Sequence, residues 1–424
     1  QAFWDAGVPK EALQVIITDR DALKVLTSAP AIKHIILTGG TDTAQNIARS
    51  NPSTPLSAET GGKNAIILTA SGDRDHAIMN VVASAFGNAG QKCSACSLLL
   101  VERSVYEDKN FREKLKDAAT SMKVGSVWNP GNVVGPMITN GNDKLLKALE
   151  LEQGESWLVP PQFLDKNKYV LAPTVKWGVR PGSYSFRTEL FGPMLSVVCI
   201  ENLQQGIELV NSLDYGLTSG LQSLDEEEQR LWKNSIMAGN LYINRGITGA
   251  IVNRQPFGGM KLSAFGGGVK AGGPNYCACF VKISDKPGST TDYKQSYPKA
   301  YEQEFAHARD INNLYGEQNV FRYLPLRNMV LRLFPGDTNE DAQMIAFAAK
   351  ICHTPLTISF EPGDDRTTAL ASLGCSLKKE SLQEFLKSMS EYERIRTCGV
   401  DIPMEMYEEA ARTDKYIATA KPVK

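Results

Sequence analysis

Apolar positions along the first hundred or so residues switch between short runs and helical spacing. Residues 13–17 form a short apolar run, and residues 33–37 (KHIIL) form a β-branched one that stops at Thr38-Gly39-Gly40. Between them residues 21–28 have helical spacing, and residues 41–50 read as a helix opening at Thr41 or Asp42. Strand, glycine turn and helix in that order are the grammar of a parallel sheet. The alternation continues with a strand over 64–69, a helix over 73–86, a loop over 87–92, a strand over 97–102 and an amphipathic helix over 106–122. Further on, 195–200 and 240–244 read as strands, and 203–212 and 226–236 as helices. Residues 245–275 are loop-rich and dense in glycine, a composition that serves a site or permits close backbone approach.

Residues 285–320 are polar and poorly periodic, with Lys286-Pro-Gly-Ser-Thr-Thr reading as a linker. A new α/β alternation then begins. A strand over 329–334 leads to a helix over 339–352 that starts at Thr338-x-x-Asp341, and a strand follows at 356–360. Ser381-x-x-Glu384 marks a capping box, and 393–397, 404–411 and 416–419 complete the pattern. These residues predict a small Rossmann-like unit. It contains no G-x-G-x-x-G, so no nucleotide is assigned to it.

Composition bounds the function. The 424 residues exceed one compact core and suggest two to three domains. The 46 Lys+Arg nearly cancel the 47 Asp+Glu, so no nucleic-acid partner is expected. No apolar run is long enough for a transmembrane segment. Eight scattered cysteines in a long chain point to reduced thiols and a cytoplasmic setting. Cys93-Ser-Ala-Cys96 has no second pair at zinc spacing, so no metal is expected.

Four short motifs carry candidate chemistry. Cys93, in Gly90-Gln-Lys-Cys-Ser-Ala, is either a structural thiol or a nucleophile activated by Lys92 and nearby backbone N–H groups. Glu59, in Glu-Thr-Gly-Gly-Lys-Asn64, is either a solvated carboxylate or a general base for a hydrolytic water. Glu189 precedes the turn Leu190-Phe191-Gly192-Pro193 and suits a ribose hydroxyl. Pro256-Phe257-Gly258-Gly259-Met-Lys-Leu-Ser263 is a glycine turn with an aromatic ring. Gly39-Gly40 is either a plain tight turn or a phosphate approach at a helix N-terminus.

Taken together and in order, these motifs resemble the aldehyde dehydrogenase superfamily, whose patterns are E-x-G-G-K, G-Q-x-C, E-x-F-G-P and P-F-G-G-x-K-x-S. The resemblance implies an α/β aldehyde dehydrogenase fold. It comprises a partial Rossmann-like cofactor domain (1–58), an α/β catalytic domain (59–258), a return segment with an oligomerisation strand and linker (259–320), and an additional small Rossmann-like C-terminal domain (321–424). It implies an NAD-dependent oxidoreductase, with NADP not excluded. Cys93 attacks the aldehyde and passes through a thiohemiacetal to a thioester, its own backbone N–H steadying the oxyanion. Glu59 then activates water, and Glu189 with Phe191 holds the nicotinamide ribose. Gly39 and Gly40 fall beside the pyrophosphate, and Gly40 replaces the serine usual there.

The loop from Asn244 to Gly259, with Lys270-Ala-Gly-Gly-Pro-Asn-Tyr276, is similar to that of L-glutamate γ-semialdehyde (1-pyrroline-5-carboxylate) dehydrogenases, above all those of the bifunctional proline utilization proteins. That likeness implies an amino-acid aldehyde substrate from proline catabolism. Its α-carboxylate is taken by Thr248, Gly249 and Ala250, with Phe257 against its stem and Ser94 and Lys92 as polar contacts. It also implies a homodimer, and a flavin-dependent (FAD) proline dehydrogenase half in the parent protein. The family's T-P-W-N-F-P and K-P motifs are not found, so a further segment ahead of Gln1 is expected, and without it a loss of about a hundredfold or more. Two other readings stay open: a non-catalytic assembly fragment, and an aldehyde dehydrogenase for a different substrate.

Overall fold

A computed structural model describes residues 1–252, 254–285, 291–364, 366–399 and 401–424; most of the expected 286–291 linker lies outside them. The main sheet has seven strands in the order Asn240–Ile243, Thr218–Gln222, Asn64–Leu68, Cys96–Glu102, Met194–Ile200, Thr174–Trp177, Ser156–Val159. All neighbours are parallel except the last pair. Its central strands are continuous apolar runs because both faces are covered. Ile66, Leu68, Leu99 and Val101 enter one core with the helix Arg74–Phe86. Ala65, Ile67, Leu98 and Leu100 enter the opposite core with the helix Leu203–Asn211 and Trp232. That alternation with a period of two is the pleat itself.

A smaller sheet joins Ile35–Thr38, Leu56–Glu59 and Ala264–Phe265. The first pair is parallel and the second antiparallel, so the glycine-rich return chain lies in register with Glu59 through Ala264. The five-stranded C-terminal sheet is wholly parallel, in the order Ser376–Lys379, Leu356–Phe360, Met329–Arg332, Arg394–Arg396, Ile417–Ala418. The chain winds outward in both directions from Met329–Arg332, as in a doubly wound fold. The α/β class and the Rossmann-like C-terminal unit agree with the sequence. That unit packs on the rest through Gln45 Nε2, which donates to Asp414 Oδ2 at 2.8 Å, and Arg394, which donates to the Gly267 carbonyl at 3.2 and 3.3 Å.

Two expected elements differ. Residues 13–17 form no strand; they lie outside any regular element with Ile17 98% exposed, and no strand among the described residues takes up their ladder. The helix expected over 106–122 is two, Arg103–Tyr106 and Lys109–Thr120. Asp108 separates them by accepting from the Asn110 N–H and starting a fresh helix. After the return strand, Tyr276–Phe280 forms a short 3₁₀ turn. Among the described residues, no helix is long and apolar enough to cross a membrane.

Candidate active site

Glu59 closes its strand at the mouth of the main sheet, and the chain turns through Gly61 and Gly62 into Asn64–Leu68. Both glycines are required by what faces them. A Cβ on Gly61 would collide with the Glu189 carboxylate. One on Gly62 would lie 2.6 Å from Asn64 Oδ1 and 2.7 Å from the Cys93 carbonyl. The freed space lets the Gly62 N–H donate to Glu189 Oε1 at 2.9 Å. One turn thus touches the Glu189 and Cys93 segments.

Asn64 ties the thiol loop to the sheet. Its Nδ2 donates to the carbonyls of Cys93 (2.7 Å) and Ala95 (3.0 Å), and its Oδ1 accepts from the Thr218 N–H at 3.0 Å. Upstream, the helix Arg74–Phe86 gives way to three left-handed residues, Asn88, Ala89 and Gly90, with φ of 55°, 52° and 65°. A side chain at Gly90 would strike the Gly192 carbonyl, so this bend lies against the Glu189–Pro193 turn. Cys93 emerges half-buried, with Ser94 buried beneath it.

The electrostatics differ from expectation. Burial pushes the Cys93 thiol above its ordinary value, as do the carboxylates of Glu189 and Glu59; the backbone N–H groups of Ser94 and Cys93 oppose the shift. Lys92 was expected to lower it, but its side chain lies in solvent and is not among the groups that move the thiol.

Glu59 is pushed up to about 7, chiefly by burial. A hydrogen bond from the Gly259 N–H to Oε2 (3.1 Å) and the charge of Lys270 pull the other way. Lys270 itself is lowered to about 8 by burial, against the attraction of Glu59. Its Nζ donates to the Gly239 carbonyl (2.5 Å), the Gly258 carbonyl (2.8 Å) and Asn240 Oδ1 (3.3 Å). Asn240 also takes the Gly258 N–H at 3.2 Å and donates to the Pro256 carbonyl at 2.9 Å. Phe257 exchanges two 2.9 Å bonds with Ala271. The Pro256–Gly259 turn is therefore clasped between Asn240 and the Lys270 segment and set against Glu59. Sequence reasoning missed Asn64, Asn240 and Lys270. The tail of the same motif is structural: Lys261 Nζ caps the carbonyls of Asn211 (2.7 Å) and Leu213 (2.8 Å), and Ser263 Oγ accepts from the Gly216 N–H (3.1 Å).

Replacing Lys270 with Met is expected to strand carbonyls that are part-buried, at a cost of about 1–3 kcal/mol, read from thermal or urea unfolding. It also removes one of the two influences that hold the Glu59 titration down, so the acid limb of activity should shift above pH 7. An unchanged limb with full stability would dismiss the coupling.

Glu189 is half-buried and raised, mainly by burial, with the Gly62 bond, Lys144 and Lys63 opposing. Phe191 is exposed, in a left-handed conformation with φ of 50°. The Gly39 N–H donates to the Glu59 carbonyl at 3.2 Å, which fixes the turn beside the base. Gly40 is the N-cap of the helix Thr41–Ser50; it has no side-chain cap, and the space a Cβ would occupy is open. Thr248 and Ala250 are half-buried, and Gly249 is exposed with φ of +95°. Among the described residues, no hydrogen bond or ion pair links Lys92 to this loop.

A model described as the aldehyde dehydrogenase family matches residues 1–285. The 1-pyrroline-5-carboxylate dehydrogenase of Geobacillus thermodenitrificans is 32% identical over 283 residues, 64% of this chain and 54% of that protein. The enzyme of the same name from Oceanobacillus iheyensis is 38% identical over 226 residues, 53% of this chain and 43% of its own length. The chain spans about half the length of the curated relatives it matches. Among solved structures, Proline Utilization A from Corynebacterium freiburgense aligns with all of this chain and 43% of its own, at a TM-score of 0.82 and 36% identity. A Thermus 1-pyrroline-5-carboxylate dehydrogenase with bound NAD aligns at a TM-score of 0.61 and 33% identity, over 66% of this chain and 55% of its own.

Proposed function

This chain belongs to the aldehyde dehydrogenase family, and we propose that it carries out, as part of an NAD-dependent enzyme of proline catabolism, the oxidation of L-glutamate γ-semialdehyde to L-glutamate. The observation that carries the proposal is the Gly61-Gly62 turn. It sets the Glu189 carboxylate and the Cys93 carbonyl against the segment that follows Glu59.

In this reading the Cys93 sulfur bonds to the aldehyde carbon, forming a thiohemiacetal and then, after oxidation, a thioester. The Ser94 and Cys93 N–H groups favour negative charge on the Cys93 sulfur, and in this reading the Cys93 N–H turns to the oxyanion once the sulfur is bonded. Glu59 takes a proton from the water that attacks the thioester, releasing the acid and restoring the thiol. The residues present fit a nicotinamide dinucleotide. The Gly39-Gly40 turn leaves a helix N-terminus open for phosphate, and Glu189 presents a carboxylate for a ribose hydroxyl. Bound there, NAD supplies the hydride acceptor. Asp42 in the first helical turn opposes phosphate, and Lys144, 3.6 Å away, offsets it.

The names of the relatives, and the Thr248–Gly249–Ala250 turn with its left-handed glycine, support an amino-acid aldehyde as substrate. The likeness of this chain to 43% of a Proline Utilization A supports a proline dehydrogenase half in the parent, and a homodimer is proposed as the assembly. The eight free thiols suit a reducing, cytoplasmic setting.

The test is NADH formation from L-glutamate γ-semialdehyde, followed by absorbance across pH. Glu59 is protonated, and idle as a base, below about 7, while Lys270 keeps its charge up to about 8. Deacylation should therefore rise with pH through an inflection near 7. The same shift means that the folded chain holds the Glu59 proton more tightly than the unfolded one. The stability it contributes is present below the ordinary carboxylate range and is lost as pH rises through about 7. A rate that is flat from pH 5 to 8 would remove Glu59 from the rate-limiting step.

A further inference from the structure

The loop proposed to take the substrate carboxylate is fastened at its two ends. At the near end Gln222 Nε2 donates to the Arg245 carbonyl (3.1 Å), and the buried Ile247 N–H donates to Ser84 Oγ (3.0 Å). At the far end Asn240 holds the Pro256 carbonyl. Between these points Thr248, Gly249 and Ala250 are followed by Ile251 and Val252, which stand 52% and 71% exposed. The span therefore draws little order from a core of its own.

A segment beyond the family match covers both ends at once. The hairpin of Arg309–Asp310 with Val320–Phe321 brings residues 316–319 over the loop. Through Oε2 the Glu317 carboxylate meets Arg245 Nη1 at 3.3 Å, and through Oε1 it meets Arg254. Beside it, Gln255 Nε2 donates to Asn319 Oδ1 at 3.2 Å, while the Asn319 N–H donates to Asp310 Oδ2 at 2.9 Å. Asn319 is buried, and the Glu317 side chain is only 26% exposed.

We propose that Glu317 is a positioning residue for amino-acid aldehydes. By bridging Arg245 and Arg254 it fixes the distance between the two ends of the 248–250 loop and so sets affinity for a substrate α-carboxylate. The bridge has a second consequence. It occupies two guanidinium groups that have no other carboxylate partner among the described residues and would otherwise draw the substrate carboxylate to the wrong place. The inference rests on the substrate reading above, and it gives the C-terminal extension a part in substrate selection without any contact to the reacting atoms.

L-Glutamate keeps the α-carboxylate and α-ammonium of the proposed substrate and is a direct probe. Its binding to the full chain, measured by calorimetry, should weaken roughly tenfold in Glu317→Ala, because the loop then spends less time in its competent form. The charge swap Glu317→Lys with Arg254→Glu restores one link and should recover part of the loss. In turnover, KM for the γ-semialdehyde should rise with kcat unchanged, while KM for propionaldehyde, which has no carboxylate, should not move. An unaltered thermal transition separates this from misfolding. Wild-type affinity in Glu317→Ala, or an equal rise in KM for propionaldehyde, overturns the role given to Glu317. Wild-type chain that binds no L-glutamate overturns the substrate reading first, and this inference with it.

Discussion

Replacing Cys93 with alanine is expected to lower aldehyde oxidation by a factor on the order of 10⁴ or more, to the background of the assay. The magnitude follows from covalent catalysis: without the sulfur no thioester forms, and the remaining site only gathers reactants. Alanine leaves the anchoring intact, since Asn64 grips the Cys93 carbonyl and not its side chain. Cofactor binding and the unfolding transition should therefore match wild type. Cys96, three residues on, is no substitute. It is buried, its sulfur is bonded to the Leu98 carbonyl at 3.3 Å, and burial pushes its thiol up to about 12. Activity that survives the substitution would end the nucleophile assignment.

The raised Cys93 thiol also decides which labelling experiment is informative. An activated nucleophilic thiol ordinarily alkylates faster than the other thiols of its chain. In the structure it is half-buried between two carboxylates, whereas Cys277 is exposed. Speed of labelling therefore does not single out Cys93 in the free chain. Protection by the aldehyde does, because a thiohemiacetal removes the free thiol at that position alone.

Those carboxylates show what could be read from sequence and what could not. The E-x-G-G-K turn was legible because glycine is demanded there by close approach, and a pair of glycines after a lone carboxylate is a local signal. The caps at Thr338 and Ser381 were legible for the same reason, since each acts within one turn of its own helix. The strands Leu56–Glu59 and Thr218–Gln222 were not. LSAE and TSGLQ carry no β-branched run, and they are extended because neighbouring strands on either side supply their ladders. Lys270 was the least legible of all. Nothing in a glycine-rich stretch marks a lysine as buried; its place depends on Gly239, Asn240 and Gly258 arriving from elsewhere in the chain. Lys92, next to the nucleophile in sequence, faces solvent instead. Adjacency along the chain brings no cation to bear on the Cys93 thiol, and the cation that tertiary packing supplies, Lys270, acts on Glu59 instead.

That arrangement makes Glu59→Gln the sharpest test of the second half of the reaction. Glutamine has the shape of the carboxyl group and can still accept from the Gly259 N–H, so the turn should hold. It cannot take a proton from water. Steady-state turnover should fall by roughly 10²–10⁴-fold. Acylation should not fall with it. The Glu59 carboxylate is among the groups that raise the Cys93 thiol, so its removal makes the thiolate easier to form. Rapid mixing should thus show a burst of NADH at least as fast as wild type, followed by a stall, and intact-mass measurement should find the acyl group on the chain. The inflection near pH 7 should vanish from the slow phase, because the group responsible for it is gone. A burst that slows in proportion to the steady state would give the opposite assignment: Glu59 would then be the base that deprotonates Cys93, and the water would need another acceptor.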